Sequence, residues 1–251
     1  MNELWEILLL FSIGFIAGII NTLAGGGSLL TLPILIFLGL PPHVANGTNR
    51  IVILFQSITS TLGFKSKKVS SAPLDFYLGI TATIGSVLGT KIAIEMEGAL
   101  FNKILAILMV CCGFLIMFQK KQTPFELSPQ IRGKKKIISM ILFFFVGIYG
   151  GFINAGIGFV ILLILTRINN LSITQANSVK VVVVTIYTTV ALLLFTYNQA
   201  VSFKLGMWMA TGSALSAWMT SRWSVKKDDR IIRLFLFVMV VIIAIKLWID
   251  Q

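Results

Sequence analysis

Residues 14–50 read GFIAGIINTLAGGGSLLTLPILIFLGLPPHVANGTNR, two apolar arms around a polar, glycine-rich break formed by Asn21, Thr22, Gly25, Gly26, Gly27 and Ser28. A weaker copy occupies 147–181, GIYGGFINAGIGFVILLILTRINNLSITQANSVKV. Gly14, Gly18 and Asn21 fall on Gly147, Gly151 and Asn154. After a two-residue deletion, Gly25, Gly27, Leu40, Ala45 and Asn46 fall on Gly156, Gly158, Leu171, Ala176 and Asn177. The chain is therefore an internal duplication built around two broken apolar segments. Backbone freed at such breaks can sit at membrane depth only where it is buried in protein or lines a cavity, so the breaks are the candidate binding site. The pairs Gly14/Gly18 and Gly147/Gly151 have the Gly-x-x-x-Gly spacing of close helix packing.

Composition supports a membrane setting. Of 251 residues, 57% are hydrophobic and only 12% charged, and the mean hydropathy is +0.93. That is a polytopic membrane protein rather than a soluble domain. The net charge of +12 would suggest nucleic acid in a soluble chain; here the basic residues are read as topology signals, and no nucleic-acid partner is expected. Cys111 and Cys112 are adjacent in an apolar run, without metal-ligand spacing, and His43 is the single histidine. No metal site, cofactor or proton relay is expected from them. The start, MNELWEILLLFSIGFIAGII, carries acidic residues ahead of its apolar core, and reads as a first membrane segment rather than a cleaved signal.

The pattern predicts five apolar segments per half: about 4–21, 28–40, 46–64, 73–94 and 100–118, then 137–154, 157–168, 175–197, 203–221 and 231–249. The second of each set is about a dozen residues, too short for a core of roughly 30 Å at about 1.5 Å per residue. Each first-plus-second pair is thus a helical hairpin with its tip inside the membrane, or two short helices crossing a thinned region. Basic residues gather at Lys65, Lys67 and Lys68, in the linker 119–136, and at Arg222, Lys226, Lys227, Arg230 and Arg233. By the positive-inside rule all three regions are cytoplasmic. The loop after the third segment is then inside in the first half and outside in the second. The expected fold is an all-α polytopic membrane protein of two inverted-topology repeats, 1–118 and 137–251, joined by a cytoplasmic linker, with both termini outside and the cell membrane as its location. Ten crossings and six crossings plus two hairpins satisfy this equally.

Motifs for enzymes are missing: no Gly-x-Ser-x-Gly elbow, no P-loop, no His-Glu-x-x-His. The nine acidic residues sit near segment ends or in loops, which argues against a carboxylate-centred cation pump. Polar, uncharged residues with nearby cations remain. The third segment opens Ala45-Asn46-Gly47-Thr48-Asn49-Arg50 and its counterpart Ala176-Asn177-Ser178-Val179-Lys180. Helix N-termini opened by Asn and Ser present backbone N–H groups and a positive dipole end, which suit an oxyanion, and glycine-rich breaks let several N–H groups converge. Arg50 and Lys180 either add positive charge to such a site or snorkel to the interface.

The run Gly-x-x-x-Gly-x-x-Asn-x-x-x-Gly-Gly-Gly-Ser, with Pro33, the Gly39-Leu40-Pro41-Pro42 turn into Ala45-Asn46-Gly47-Thr48-Asn49-Arg50, and the second-half Ala-Asn-Ser-x-Lys, resembles the sulfite exporter TauE/SafE family of membrane permeases from about residue 10 to 248. The resemblance implies a secondary transporter of small, often sulfur-containing anions, such as sulfite or sulfonates. Its site would comprise Asn21, Gly25, Gly26, Gly27 and Ser28 with Asn46, Thr48 and Asn49, mirrored by Asn154, Gly156, Gly158, Asn177 and Ser178. The second half departs from the fuller glycine run, having Gly156-Ile157-Gly158 only. Partners are a small anionic substrate and membrane lipid, with a proton or sodium coupling ion undetermined. The rival readings are a passive anion channel and a non-transporting membrane scaffold; a membrane enzyme ranks last.

Overall fold

The computed structural model describes residues 3–23, 25–69, 72–117 and 133–223, which form helices and connecting turns with no strand among them. The helices are α1 (Glu3–Leu23), α2 (Ser28–Phe37), α3 (Pro42–Ser66), α4 (Leu74–Glu95), α5 (Gly98–Met117), α6 (Lys134–Phe152), α7 (Ile157–Arg167), α8 (Ile173–Tyr197) and α9 (Phe203–Trp223). The segment expected at 231–249, and nearly all of the linker, lie outside the described residues. α1, α4, α6 and α8 are long and apolar enough to cross a membrane; α2 and α7 are the short apolar pieces the pattern predicts.

Local chemistry explains where these helices start and stop. α1 carries Glu3 and Glu6 in its first turn, where the helix dipole favours anions. Pro42 opens α3, where its missing N–H costs nothing. A reciprocal Ser172–Gln175 capping box opens α8. The long helices α3 and α8 therefore begin four and two residues earlier than the expected 46 and 175. Asn46 and Asn177 consequently lie inside their helices rather than capping them. Both breaks turn through left-handed backbone, at Gly25 (φ +86°) in one and at Asn154 (φ +62°) and Gly156 (φ +72°) in the other. Two of these three positions are glycine, which adopts that region without a Cβ penalty.

Packing fixes the helix directions. α1 lies along α9: Glu3 pairs with Lys204 at 2.6 Å, a Cβ at Gly14 would meet the Met209 carbonyl, and one at Gly18 would meet Ser213 and Ser216. α3 also runs alongside α9, Gly47 lying against Ala200 and Gly63 against Ser221. These three helices begin at one end of the bundle. α4, α6 and α8 begin at the other. Gly147 and Gly151 of α6 lie against Ala82 and Ser86 of α4, Gly79 of α4 against Ile186 of α8, and Ser178 reaches the Val69 carbonyl just ahead of α4. The four Gly-x-x-x-Gly residues are packing positions, as their spacing predicts.

Because α1 and α3 start at the same end, the α1–α2 pair enters the bundle and comes back. Its innermost part is marked by the Thr22 and Ser60 hydroxyls, 3.1 Å apart, while α3 continues to Ser66. At about 1.5 Å per residue the tip stops roughly 9 Å short of the end of α3. α6 and α8 also share a starting end, so α6–α7 is a second such hairpin, entering from the opposite side.

Candidate functional site

The two hairpins touch backbone to backbone. A Cβ on Gly25 would lie 2.3 Å from the Gly158 Cα, and one on Gly158 would lie 2.2 Å from the Gly25 Cα. Only glycine at both positions permits this approach. Beside the crossing lies a cavity of about 10 Å³, lined by Asn21, Gln56, Ser57, Asn154, Gly158 and Lys180 together with apolar residues. That is room for about one water-sized group.

Around it, each repeat asparagine is held by the long helix of its own half. Asn21 Nδ2 donates to Gln56 Oε1 at 2.9 Å, and the Tyr187 hydroxyl donates to Asn154 Oδ1. Gln56 stands ten residues after Asn46, and Tyr187 ten residues after Asn177. They are equivalent positions with different side chains. Across the crossing, Asn154 Nδ2 approaches Ser28 Oγ at 3.5 Å.

Both repeat cations are buried in the bundle, and neither reaches its surface: Arg50 is 0% exposed and Lys180 3%. Arg50 on α3 donates from Nη1 to the Gly150 carbonyl and from Nη2 to the Gly151 carbonyl at 2.8 Å and to Asn46 Oδ1 at 3.1 Å. Asn46 Nδ2 adds a bond to the Phe152 carbonyl at 2.6 Å. Lys180 on α8 donates to the Asn21 and Thr22 carbonyls at 2.9 and 3.2 Å and to Asn177 Oδ1 at 2.7 Å. Each cation therefore meets the carbonyl end of the hairpin helix in the other half. The cause is electrostatic: a helix that stops inside the bundle leaves its last carbonyls without intrahelical partners and carries roughly half a negative charge there.

The remaining expected residues are spread around this centre. Gly26 lies against the Phe159 ring and Gly27 against the Ala17 carbonyl and Asn21 Cβ, so both are packing contacts. Gly156 sets the left-handed turn into α7. Asn49 accepts from the Thr31 hydroxyl at 2.6 Å, fixing α2 on α3, while its buried Nδ2 has no hydrogen-bond partner among the described residues. Thr48 faces the loop ahead of α9, accepting from the Ser202 N–H at 2.8 Å, and Ser178 bonds toward the opposite end of the bundle. Asn21, Asn154, Gly158 and Lys180 are thus brought together, whereas Thr48 and Ser178 are not. Gln56 and Ser57 complete the lining without having been among the expected site residues. Their signal was the polar pair Gln56-Ser57 directly after the apolar run Ile51–Phe55 of the third segment.

Four helices long and apolar enough to cross a membrane, with shorter apolar helices between them, and two helix breaks that meet beside a small polar cavity fit a multi-pass membrane protein. The chain belongs to the sulfite exporter TauE/SafE family, whose pattern matches residues 10–247. It is similar to a "Probable membrane transporter protein" of Haemophilus influenzae, 28% identical across 97% of this chain and 94% of that one. It is also similar to "Probable membrane transporter protein ORF9" of a Sinorhizobium species, 27% identical across 96% and 92%, and to "Probable membrane transporter protein YfcA" of Escherichia coli K12, 28% identical across 96% and 89%. No solved structure matches the chain. Membership in this family of membrane transporters fits the cell membrane as its location.

Proposed function

We propose that the chain is a secondary transporter carrying a small anion, a sulfur-containing oxyanion such as sulfite or an organosulfonate, by alternating access between two inverted halves. The observation that carries this reading is the crossing of the two hairpins at Gly25 and Gly158 beside a polar cavity that includes an ammonium. Inversion is supported by the helix directions: α1 and α3 begin at one end, and their counterparts α6 and α8 at the other. Rocking of one half against the other would exchange access around that crossing. The cavity's small volume favours an occludable carrier over an open anion channel.

Two measurements test it. In proteoliposomes, radiolabelled sulfite or methanesulfonate should show saturable counterflow driven by unlabelled substrate; conductance without saturation would indicate a channel, and no flux of any anion would leave the scaffold reading. In a variant lacking Cys111 and Cys112, single cysteines at Lys67 and Asn198, both exposed, should react with impermeant thiol reagents from opposite faces. Asn198 should label from outside intact cells and Lys67 only after permeabilisation. Labelling of both from one face would overturn the inverted arrangement.

A further inference from the structure

The repeat places one buried cation in each half, yet their surroundings differ. Lys180 lines the cavity beside Asn21, Gln56 and Ser57. Arg50 does not line it. Its guanidinium is closed in by the Gly150 and Gly151 carbonyls and Asn46 and lies 5.5 Å from the centre of the Phe195 ring. The asymmetry is written in the long helices. Where the first half has Gln56, the second has Tyr187, which is fully buried; its ring sits so close to α6 that a Cβ on Gly150 would fall 3.1 Å from it. A glutamine leaves room and an amide donor at that level, and a tyrosine fills it.

We propose, resting on the anion-transporter reading above, that the two halves supply one anion site and not two. The anion binds on the Lys180 side against Asn21, Gln56 and Ser57, and it is a monoanion. The charge preference follows from what the cavity offers. Lys180 is its cation, and its ammonium already donates to the Asn21 and Thr22 carbonyls and to Asn177 Oδ1, at a helix end worth roughly half a negative charge, so it acts on the ligand through its charge rather than through a spare N–H. Less than one net positive charge is left for a ligand. The side chains of Asn21, Gln56, Ser57 and Asn154 are neutral. One charge on the ligand is compensated; a second would be buried without a partner, which disfavours a dianion. With Asn21 Nδ2 donating to Gln56 Oε1, the Gln56 amide hydrogens are available as donors to the headgroup, and the cavity volume accepts one headgroup oxygen.

The test uses the full chain in lipid nanodiscs, with methanesulfonate as the monoanion and sulfate as the dianion, titrated by calorimetry. One equivalent of methanesulfonate should bind per chain, at least about tenfold tighter than sulfate, the factor expected when one buried charge lacks a partner. Lys180→Met should weaken methanesulfonate binding by about tenfold or more, because the charge that compensates the buried anion is removed. Should that variant fail to fold, Ser57→Val serves instead. The Ser57 hydroxyl bonds only its own helix, to the Leu54 carbonyl at 3.0 Å, so valine fills the cavity without cutting a tertiary bond, and methanesulfonate binding should again be lost. Two equivalents per chain, equal or tighter binding of sulfate, or wild-type affinity in both variants overturns the single-monoanion site while leaving an anion transporter intact. A wild type that binds no anion from a wider panel but binds an amine overturns the anion reading, and this proposal with it.

Discussion

Gly25→Ala should sharply reduce the yield of monodisperse folded protein and lower the melting temperature of what remains. The new methyl would lie 2.3 Å from the Gly158 Cα and 2.7 Å from its carbonyl carbon. Those are backbone atoms at the start of α7, and backbone does not rotate aside as the end of a flexible side chain does. The residue also has φ +86°, so alanine meets a conformational cost on top of the clash. Overpacking and the left-handed backbone together should cost about 2–4 kcal/mol. Gly158→Ala makes the reciprocal clash at 2.2 Å without the positive φ, and should cost about 1–3 kcal/mol. Gly39→Ala is the control: its φ is +91° but a Cβ there meets nothing within 4 Å, so only the backbone term of about 1 kcal/mol applies. The check is size-exclusion yield and thermal melting in detergent across the three variants. A Gly25→Ala protein as stable as Gly39→Ala would mean that the two hairpin tips do not touch.

That crossing illustrates how far the sequence could be read. The duplication, the short second segments and the segment order are carried by hydropathy and by repeated residues, which are properties of single positions, and the helices follow them closely. Choosing a hairpin over two crossings requires knowing which helices lie side by side. Apolar periodicity does not encode partners in a bilayer, where both lipid and protein neighbours are apolar. The glycine pairs of α1 and α6 announced close approach without saying that α9 and α4 are what they approach. The helix starts were misplaced for a similar reason: Asn46 looks like a cap when only its residue type is considered, but Pro41-Pro42 opens α3 a turn earlier. The role of the two cations turns on the carbonyls of Gly150 and Gly151 or of Asn21 and Thr22, on helices of the opposite half and a hundred or more residues away in sequence. Gln56 is one polar residue among several in its segment, and its place in the cavity follows from its bond to Asn21.

Those long-range bonds make Arg50 the other position of large effect. Arg50→Met removes the charged donors facing Gly150 and Gly151 and the bond to Asn46 Oδ1. Two terms oppose each other. Taking a buried guanidinium out of the bundle relieves its desolvation cost, which in favourable cases makes apolar replacement neutral. Here, however, the partners are fixed by the fold: the carbonyls at the end of α6 stay inside the bundle, and for Gly151 the Thr90 hydroxyl remains as a donor only at a long 3.3 Å. Each stranded acceptor costs about 1–3 kcal/mol, so the unsatisfied carbonyls should prevail and the variant should lose about 2–4 kcal/mol. Arg50→Lys retains a charge and three donors but not the planar fork that spans two successive carbonyls and an amide at once. It should recover part of the loss. The expected order of melting temperature is wild type, then Arg50→Lys, then Arg50→Met, read in the same detergent and lipid. If Arg50→Met melts at or above the wild type, the guanidinium is a net cost to the fold, and its retention would have to be explained by transport instead of by the broken end of α6.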